Sequence, residues 1–143
     1  LKGILPHLAT LGVVLIEQPL PPEADAELAG IARDIPICAD ESLHDAEDLA
    51  RIAPLFDFVN IKLDKTGGLT AALTLATSAE AAGLRLMVGC MLGSSLAMAP
   101  AAILAQRCHF VDLDGPLLQS EDVSHPIAYD QGRMSFPSPE LWG

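Results

Sequence analysis

Val59-Asn60-Ile61-Lys62-Leu63-Asp64-Lys65-Thr66-Gly67-Gly68 sets a lysine at the end of an apolar run and follows it with a glycine turn. Phe56, Asp57 and Phe58 extend the run upstream into a β-strand, Phe56–Ile61, so Lys62 falls where strand gives way to turn. In α/β proteins that carboxyl edge of the sheet is where chemistry is kept. Taken alone, such a lysine is as readily solvated or paired with Asp64, and what the other strands carry at their ends decides between the readings.

Upstream, Val13-Val14-Leu15-Ile16 is a continuous apolar run, as in a parallel strand covered on both faces, and it ends in Glu17-Gln18-Pro19. Pro21 and Pro22 stop it, and residues 24–33 carry alanine and leucine at helical spacing. Ile35–Ala39 reads as a second strand, closed by Asp40-Glu41. Ser42 and Asp45 fit a Ser-x-x-Asp helix cap before a helix over 46–52 that Pro54 stops. Downstream of the glycine turn, Leu69–Ala82 is an alanine-rich helix ending at Gly83. Arg85–Val88 is a fourth strand reaching Gly89-Cys90, a helix runs from Ser95 to about Gln106, and Phe110–Leu113 is a fifth strand carrying Asp112 and Asp114. Past Pro116 periodicity is lost, and 135–143, with Pro137 and Pro139, reads as an extended tail. Alternating strands and helices of this kind predict a parallel α/β sheet.

The strand ends share a pattern. Glu17, Asp40 and Lys62 close the first three strands, and Asp112 and Asp114 point the same way at the end of the last. If the sheet curls into a barrel these charges gather at one mouth, where they need partners. Two carboxylates on neighbouring strands suit a hard dication such as Mg²⁺, and a lysine whose pKa is lowered by burial or by the cation suits a base acting on an acidified carbon.

Eight basic against nineteen acidic residues give a net charge of -11, which disfavours nucleic acid and anionic membrane as partners. Cys38, Cys90 and Cys108 form no paired or metal-ligand framework, and a reducing cytoplasm is the expected setting. Leu86–Gln106 is uncharged and long enough to span a bilayer, but Gly93, Ser94, Ser95 and Pro100 divide it into strand, loop and helix. Asp64 is expected to pair with Lys65, Glu41 to face away from Asp40, and Ser94 and Ser95 either to contact substrate or to cap the next helix. His7, His44, His109 and His125 are expected at the surface, and Met87, Met91 and Met98 in packing.

Ile16-Glu17-Gln18-Pro19, Ala39-Asp40-Glu41-Ser42, Asn60-Ile61-Lys62 with Gly67-Gly68, Gly89-Cys90-Met91-Leu92-Gly93 and Asp112-Leu113-Asp114-Gly115-Pro116 together resemble the enolase superfamily. Within its muconate-lactonizing subgroup they look most like the dipeptide epimerases of the L-Ala-D/L-Glu type. The resemblance implies the carboxy-terminal part, strands four to eight, of a TIM-type (β/α)₈ barrel over residues 1–119, with 120–143 an extension toward a capping domain. It implies Glu17 and Asp40 as two of three Mg²⁺ ligands, and Lys62 as one of two lysines working on opposite faces of the substrate α-carbon through an enediolate. Asp112 and Asp114 would then hold the dipeptide's α-ammonium group, with Cys90 and Met91 beside the substrate.

The chain starts at Leu1 without a methionine, in what reads as mid-helix, so a longer protein carrying the third ligand and the partner lysine is expected. Alone, a barrel so divided should aggregate, stay partly unfolded, or pair with a second copy or with its missing half. The competing expectations are an o-succinylbenzoate synthase or muconate cycloisomerase, against which Asp112-x-Asp114 argues, and a non-catalytic half-barrel serving binding or assembly.

Overall fold

A computed structural model describes all 143 residues. Five parallel strands, β1 (Ile16–Glu17), β2 (Ile37–Ala39), β3 (Phe58–Lys62), β4 (Arg85–Gly89) and β5 (Phe110–Val111), lie side by side in chain order. Strand alternation sends Ile37, Ala39, Val59, Ile61, Leu86 and Val88 into one large core with the helices. Cys38, Phe58 and Met87, with Leu15 and Phe110, form a separate cluster on the opposite face. Strands in sequential order, with one helix-covered face and a second face carrying its own small cluster, make a segment of a (β/α) barrel rather than a doubly wound sheet, whose order reverses.

The helices that bury the outer face are α4 (Leu69–Ala81) and α5 (Ser95–Ala105); α1 (Leu5–Thr10), α2 (Leu49–Ile52), α3 (Leu63–Thr66) and α6 (Pro139–Trp142) are short. On α4 the buried residues Ala72, Leu75, Ala76 and Ala79 follow the helical period, and their small size lets the helix lie close against β3 and β4. α3 is a single turn inserted between β3 and α4. It ends because Gly67 adopts a left-handed φ of 85°, from which both Gly67 and Gly68 return their N–H groups to the Leu63 carbonyl.

Three expected elements differ. Residues 24–33 hold a 3₁₀ turn, Pro22–Leu28, in place of an α-helix, because Asp25 is drawn into the interior to meet Arg51 and Gly30 breaks the chain direction with a φ of 70°. Ser42 does not cap the next helix; Asp45 does, accepting from the Glu47 N–H, while Ser42 is buried elsewhere. The region expected to be an irregular tail contains an antiparallel hairpin, β6 (Tyr129–Asp130) and β7 (Arg133–Met134), and then α6. Gln131 and Gly132 supply its turn with φ of 47° and 76°, the mirror-image turn that matches strand twist, in a Gln-Gly pair weaker as a signal than Asn-Gly.

Ser94 and Ser95 open α5, but the polar cap comes from a distance. Asp122 accepts from both the N–H and the hydroxyl of Ser95, and the buried Ser95 hydroxyl accepts from the Ile127 N–H. Ser95 thus fastens the segment before the hairpin, its hydroxyl committed to Asp122 and Ile127. Against the cost of burial, the Ser95 and Val123 hydrogen bonds hold the Asp122 carboxyl below its ordinary range. A depressed carboxylate stabilises the fold above the ordinary carboxylate pKa and loses that effect as pH falls from there through its own lowered pKa. Asp122→Asn keeps one accepting oxygen and loses the charge and the second acceptor, so it is expected to lower stability at pH 7 by less than the ~1 kcal/mol usual for deleting a helix cap. The gap between the urea midpoints of the two proteins should narrow steadily as pH falls below the ordinary carboxylate range; a gap unchanged from pH 7 to the acid limit of folding would overturn the assignment.

The accessible surface, 7859 Å², exceeds the roughly 7,000 Å² usual for a compact chain of this mass. The excess lies along the two free sheet edges and the carboxy-terminal segment, where Val14, Val111, Leu117, Leu118 and Phe136 are exposed. Val111, Leu117, Met134 and Phe136 line a groove of about 640 Å³. Leu86–Gln106 divides into β4, a loop and α5, and no helix is long and apolar enough to cross a membrane.

Candidate active site

The carboxyl ends of the strands bring Glu17, Asp40 and Lys62 together on the concave face. Lys62 Nζ lies 2.7 Å from Asp40 Oδ2. Lys65 Nζ lies 2.7 Å from Asp40 Oδ1 and 2.6 Å from the Asp40 carbonyl. Lys65 therefore does not pair with Asp64, as expected from the sequence; the α3 turn sets it three residues beyond Lys62, on the same side, and the buried Asp40 offers the stronger partner. That spacing was the available signal for Lys65. Glu41, as expected, is exposed beside the site.

Glu17 is held by its neighbour across the sheet: Asn60 Nδ2 donates to Glu17 Oε1 at 2.6 Å. Asn60 is buried, and a Cβ at Gly89 would fall 2.6 Å from its amide nitrogen and 2.7 Å from its amide oxygen, so only glycine at 89 leaves the amide in place. Asn60 Oδ1 is the one buried side-chain polar atom without a partner.

The electrostatics follow from this packing. Burial raises the Glu17 carboxyl pKa, and the neighbouring Asp40 raises it further against the Asn60 hydrogen bond. For Asp40 burial works upward too, but the two lysines outweigh it and hold the carboxyl below its ordinary range. Burial alone would lower Lys62, yet its bond to Asp40 raises it. Burial therefore does not lower Lys62 as expected: with Asp40 as partner it is held toward its ammonium form.

Asp112 and Asp114 follow β5. Burial and then the adjacent Asp114 raise the Asp112 carboxyl, and Lys62 is the cation that opposes the shift. Neither aspartate forms a salt bridge, in contrast to Asp40, which forms two. Cys90, half-buried, has its thiol pushed up by burial, with Asp112 and Asp114 adding to the effect. Met91, expected either in packing or beside a substrate, is 48% exposed at the same rim, whereas Met87 and Met98 are buried. The four histidines are exposed, as expected.

Glu17 and Asp40, two oxygen donors side by side with the Glu17 proton affinity raised by burial and further by Asp40, fit a hard dication, which relieves such crowding. No group of three or more His, Cys, Asp or Glu side chains in the chain is placed to hold a metal. The chain thus offers two ligands.

One residue at the centre of these contacts escaped sequence reasoning. Gln18 takes a left-handed φ of 35°, rare for a residue with a side chain. Its Oε1 accepts from the N–H groups of Asp40, at 2.8 Å, and Ser42, at 3.2 Å. Its Nε2 donates to the Ser42 hydroxyl and the Leu20 carbonyl, both at 2.8 Å, and lies 3.3 Å from Asp25 Oδ1. Asp25 is buried and paired with Arg51, which also donates to the Ser42 carbonyl at 2.7 Å.

A family model described as "Enolase C-terminal domain-like" matches residues 2–140. An N-acetyl-D-glutamate racemase from Pseudoalteromonas is 53% identical over 95% of this chain and 43% of its own length. The L-Ala-D/L-Glu epimerase of Escherichia coli is 48% identical over 89% of this chain and 40% of its own. Among solved structures, an enolase family member from Agrobacterium tumefaciens with homology to dipeptide epimerases, bound to sodium and L-Ala-L-Glu, superposes with a TM-score of 0.96 at 52% identity, over 100% of this chain and 44% of that one. A dipeptide epimerase from Cytophaga hutchinsonii, complexed with Mg and D-Ala-L-Val, does so with a TM-score of 0.85 at 32% identity, over 95% and 39%. The chain spans 40–43% of the length of these two curated relatives.

Proposed function

The chain belongs to the enolase C-terminal domain-like family, and from that premise we propose that it is the carboxy-terminal part of an Mg²⁺-dependent dipeptide epimerase of the L-Ala-D/L-Glu type. The observation that carries the reading is the convergence of Glu17, Asp40 and Lys62 at one strand edge, with Lys62 2.7 Å from the Asp40 carboxylate. The reaction is a 1,1-proton transfer at the substrate α-carbon, and Lys62 serves as acid or base on one face of that carbon.

A dication on Glu17 and Asp40 would supply positive charge to the substrate carboxylate and take from Lys62 the anion that otherwise holds its proton. Lys62 is then placed to accept the α-proton and, in the reverse direction, to return it. Lys65 keeps Asp40 in position through its carbonyl. Asp112 and Asp114, unpaired at the mouth, receive the dipeptide's α-ammonium group, with Cys90 and Met91 lining the same rim. The third metal ligand and the lysine of the opposite face belong to the amino-terminal portion of the longer protein. That portion covers the exposed edges and the groove beside Val111 and Phe136, while residues 1–119 form the barrel part and 120–143 an extension toward its cap. The reading places the enzyme in the cytoplasm, with its three cysteines free.

A second reading, an N-acyl amino acid racemase, is favoured by the 53% identity to the N-acetyl-D-glutamate racemase. Both are tested by incubating the full-length protein with Mg²⁺ in deuterated water and following α-proton loss by NMR. Exchange on L-Ala-L-Glu in preference to N-acetylglutamate is the expected result. The reverse preference establishes the second reading, and exchange on neither overturns both.

A further inference from the structure

We propose that Gln18 is a positioning residue that fixes Glu17 and Asp40 relative to each other and thereby sets how tightly the two carboxylates grip a divalent cation. The inference rests on the reading of those carboxylates as metal ligands. Two constraints meet in this residue. Its backbone follows Glu17 directly, and its N–H donates to the Cys38 carbonyl at 2.9 Å, which carries the β1–β2 ladder one step past Glu17. Its side chain crosses to the next strand end and takes the N–H of Asp40 itself. A rotation at Gln18 therefore moves both carboxylates, and no other residue contacts the backbone on either side of the pair in this way.

The chemistry demands a glutamine. The amide oxygen receives two backbone donors while the amide nitrogen serves a hydroxyl and a carbonyl, a split that a glutamate, lacking donors, and a methionine, lacking both, do not reproduce. The array is anchored from behind. Ser42 is tied through its N–H, hydroxyl and carbonyl, the last to Arg51, whose other nitrogen neutralises the buried Asp25 beside the Gln18 amide. The left-handed backbone at Gln18 persists because these bonds over-determine it.

The test is made in the full-length protein, with Mn²⁺ replacing Mg²⁺ and binding followed by electron paramagnetic resonance. Gln18→Met is expected to weaken Mn²⁺ roughly tenfold, the usual scale for removing a group that orients a metal ligand, and to lower kcat at saturating Mn²⁺ while KM for the dipeptide changes by less than about twofold. In the metal-free protein the amide hydrogens of Asp40 and Ser42 should exchange faster. Ser42→Ala, which removes only the hydroxyl partner of Nε2, should weaken Mn²⁺ in the same direction by a smaller factor, and it carries the test if Gln18→Met fails to fold. A folded variant that melts earlier yet binds Mn²⁺ as the wild type does would show a role in the fold alone and overturn the inference. So would a wild type that binds no Mn²⁺. A wild type that binds Mn²⁺ but exchanges no α-proton overturns the epimerase reading instead, and leaves the Gln18 comparison decisive.

Discussion

If the full-length protein is the proposed epimerase, Lys62→Ala should abolish epimerisation in both directions while removing α-proton exchange from only one of the two epimers. A single base reaches one face of the α-carbon, so the epimer presented to the opposite lysine can still lose its proton but cannot receive one from the Lys62 side. The loss on the affected epimer should be roughly 10²–10⁴-fold, the range for a positioned acid or base. A second consequence follows from the metal-free geometry. Lys62 lies 2.7 Å from Asp40 and competes with a dication for that carboxylate, whereas Lys65 retains its own bonds to Asp40 Oδ1 and the carbonyl. Mg²⁺ should therefore bind Lys62→Ala no more weakly than the wild type, measured by isothermal titration. A purely structural lysine predicts the opposite pair of results: exchange falling equally on both epimers, or not at all, with metal affinity reduced.

The parts of this site that the sequence disclosed are those governed by local periodicity. Glu17, Asp40, Lys62 and Asp112 are legible because a short apolar run that stops at a charge marks a strand end without knowledge of what lies beside it. The sequential parallel order follows from the same alternation. What remained hidden depends on partners far apart in the chain. Gln18 sits in the quoted Glu-Gln-Pro run, but its partners Asp40 and Ser42 lie 22 and 24 residues away, and nothing in the run says which side of the strand its amide takes. Asp25 looked like a helix residue because alanine and leucine around it have the right spacing, and a buried ion pair with Arg51 overrode that propensity. Ser42 fits the Ser-x-x-Asp cap pattern, yet its hydroxyl accepts from the Gln18 amide instead. Asn60 shares a face with Lys62 by alternation, yet its contact with Glu17 and its dependence on Gly89 appear only when β1, β3 and β4 are set side by side. The hairpin near the carboxyl end rests on two residues with positive φ, one of them Gln131, which no turn rule favours there.

Replacing both Asp112 and Asp114 with asparagine should separate the two substrate classes. The two carboxylates stand together without a lysine or arginine partner, and Asp112 is raised by burial and by Asp114, so the pair is an anionic site in need of a cation. A dipeptide brings one in its α-ammonium group; an N-acetylated amino acid brings none. For L-Ala-L-Glu, kcat/KM should fall roughly 10²–10³-fold, the cost of removing one side of a desolvated charge pair. For N-acetylglutamate it should stay level or rise, because the variant no longer presents negative charge to a neutral acyl group. The pH dependence carries the same sign. A carboxyl raised above its ordinary range picks up a proton earlier as pH falls, so dipeptide binding should decline on the acid side from a higher pH than an ordinary aspartate would give. That limb should be missing in the double variant and in wild-type turnover of the acetylated substrate. Equal losses on both substrates would remove the ammonium from the role of Asp112 and Asp114, and with it the feature that separates a dipeptide epimerase from an N-acyl amino acid racemase in this chain.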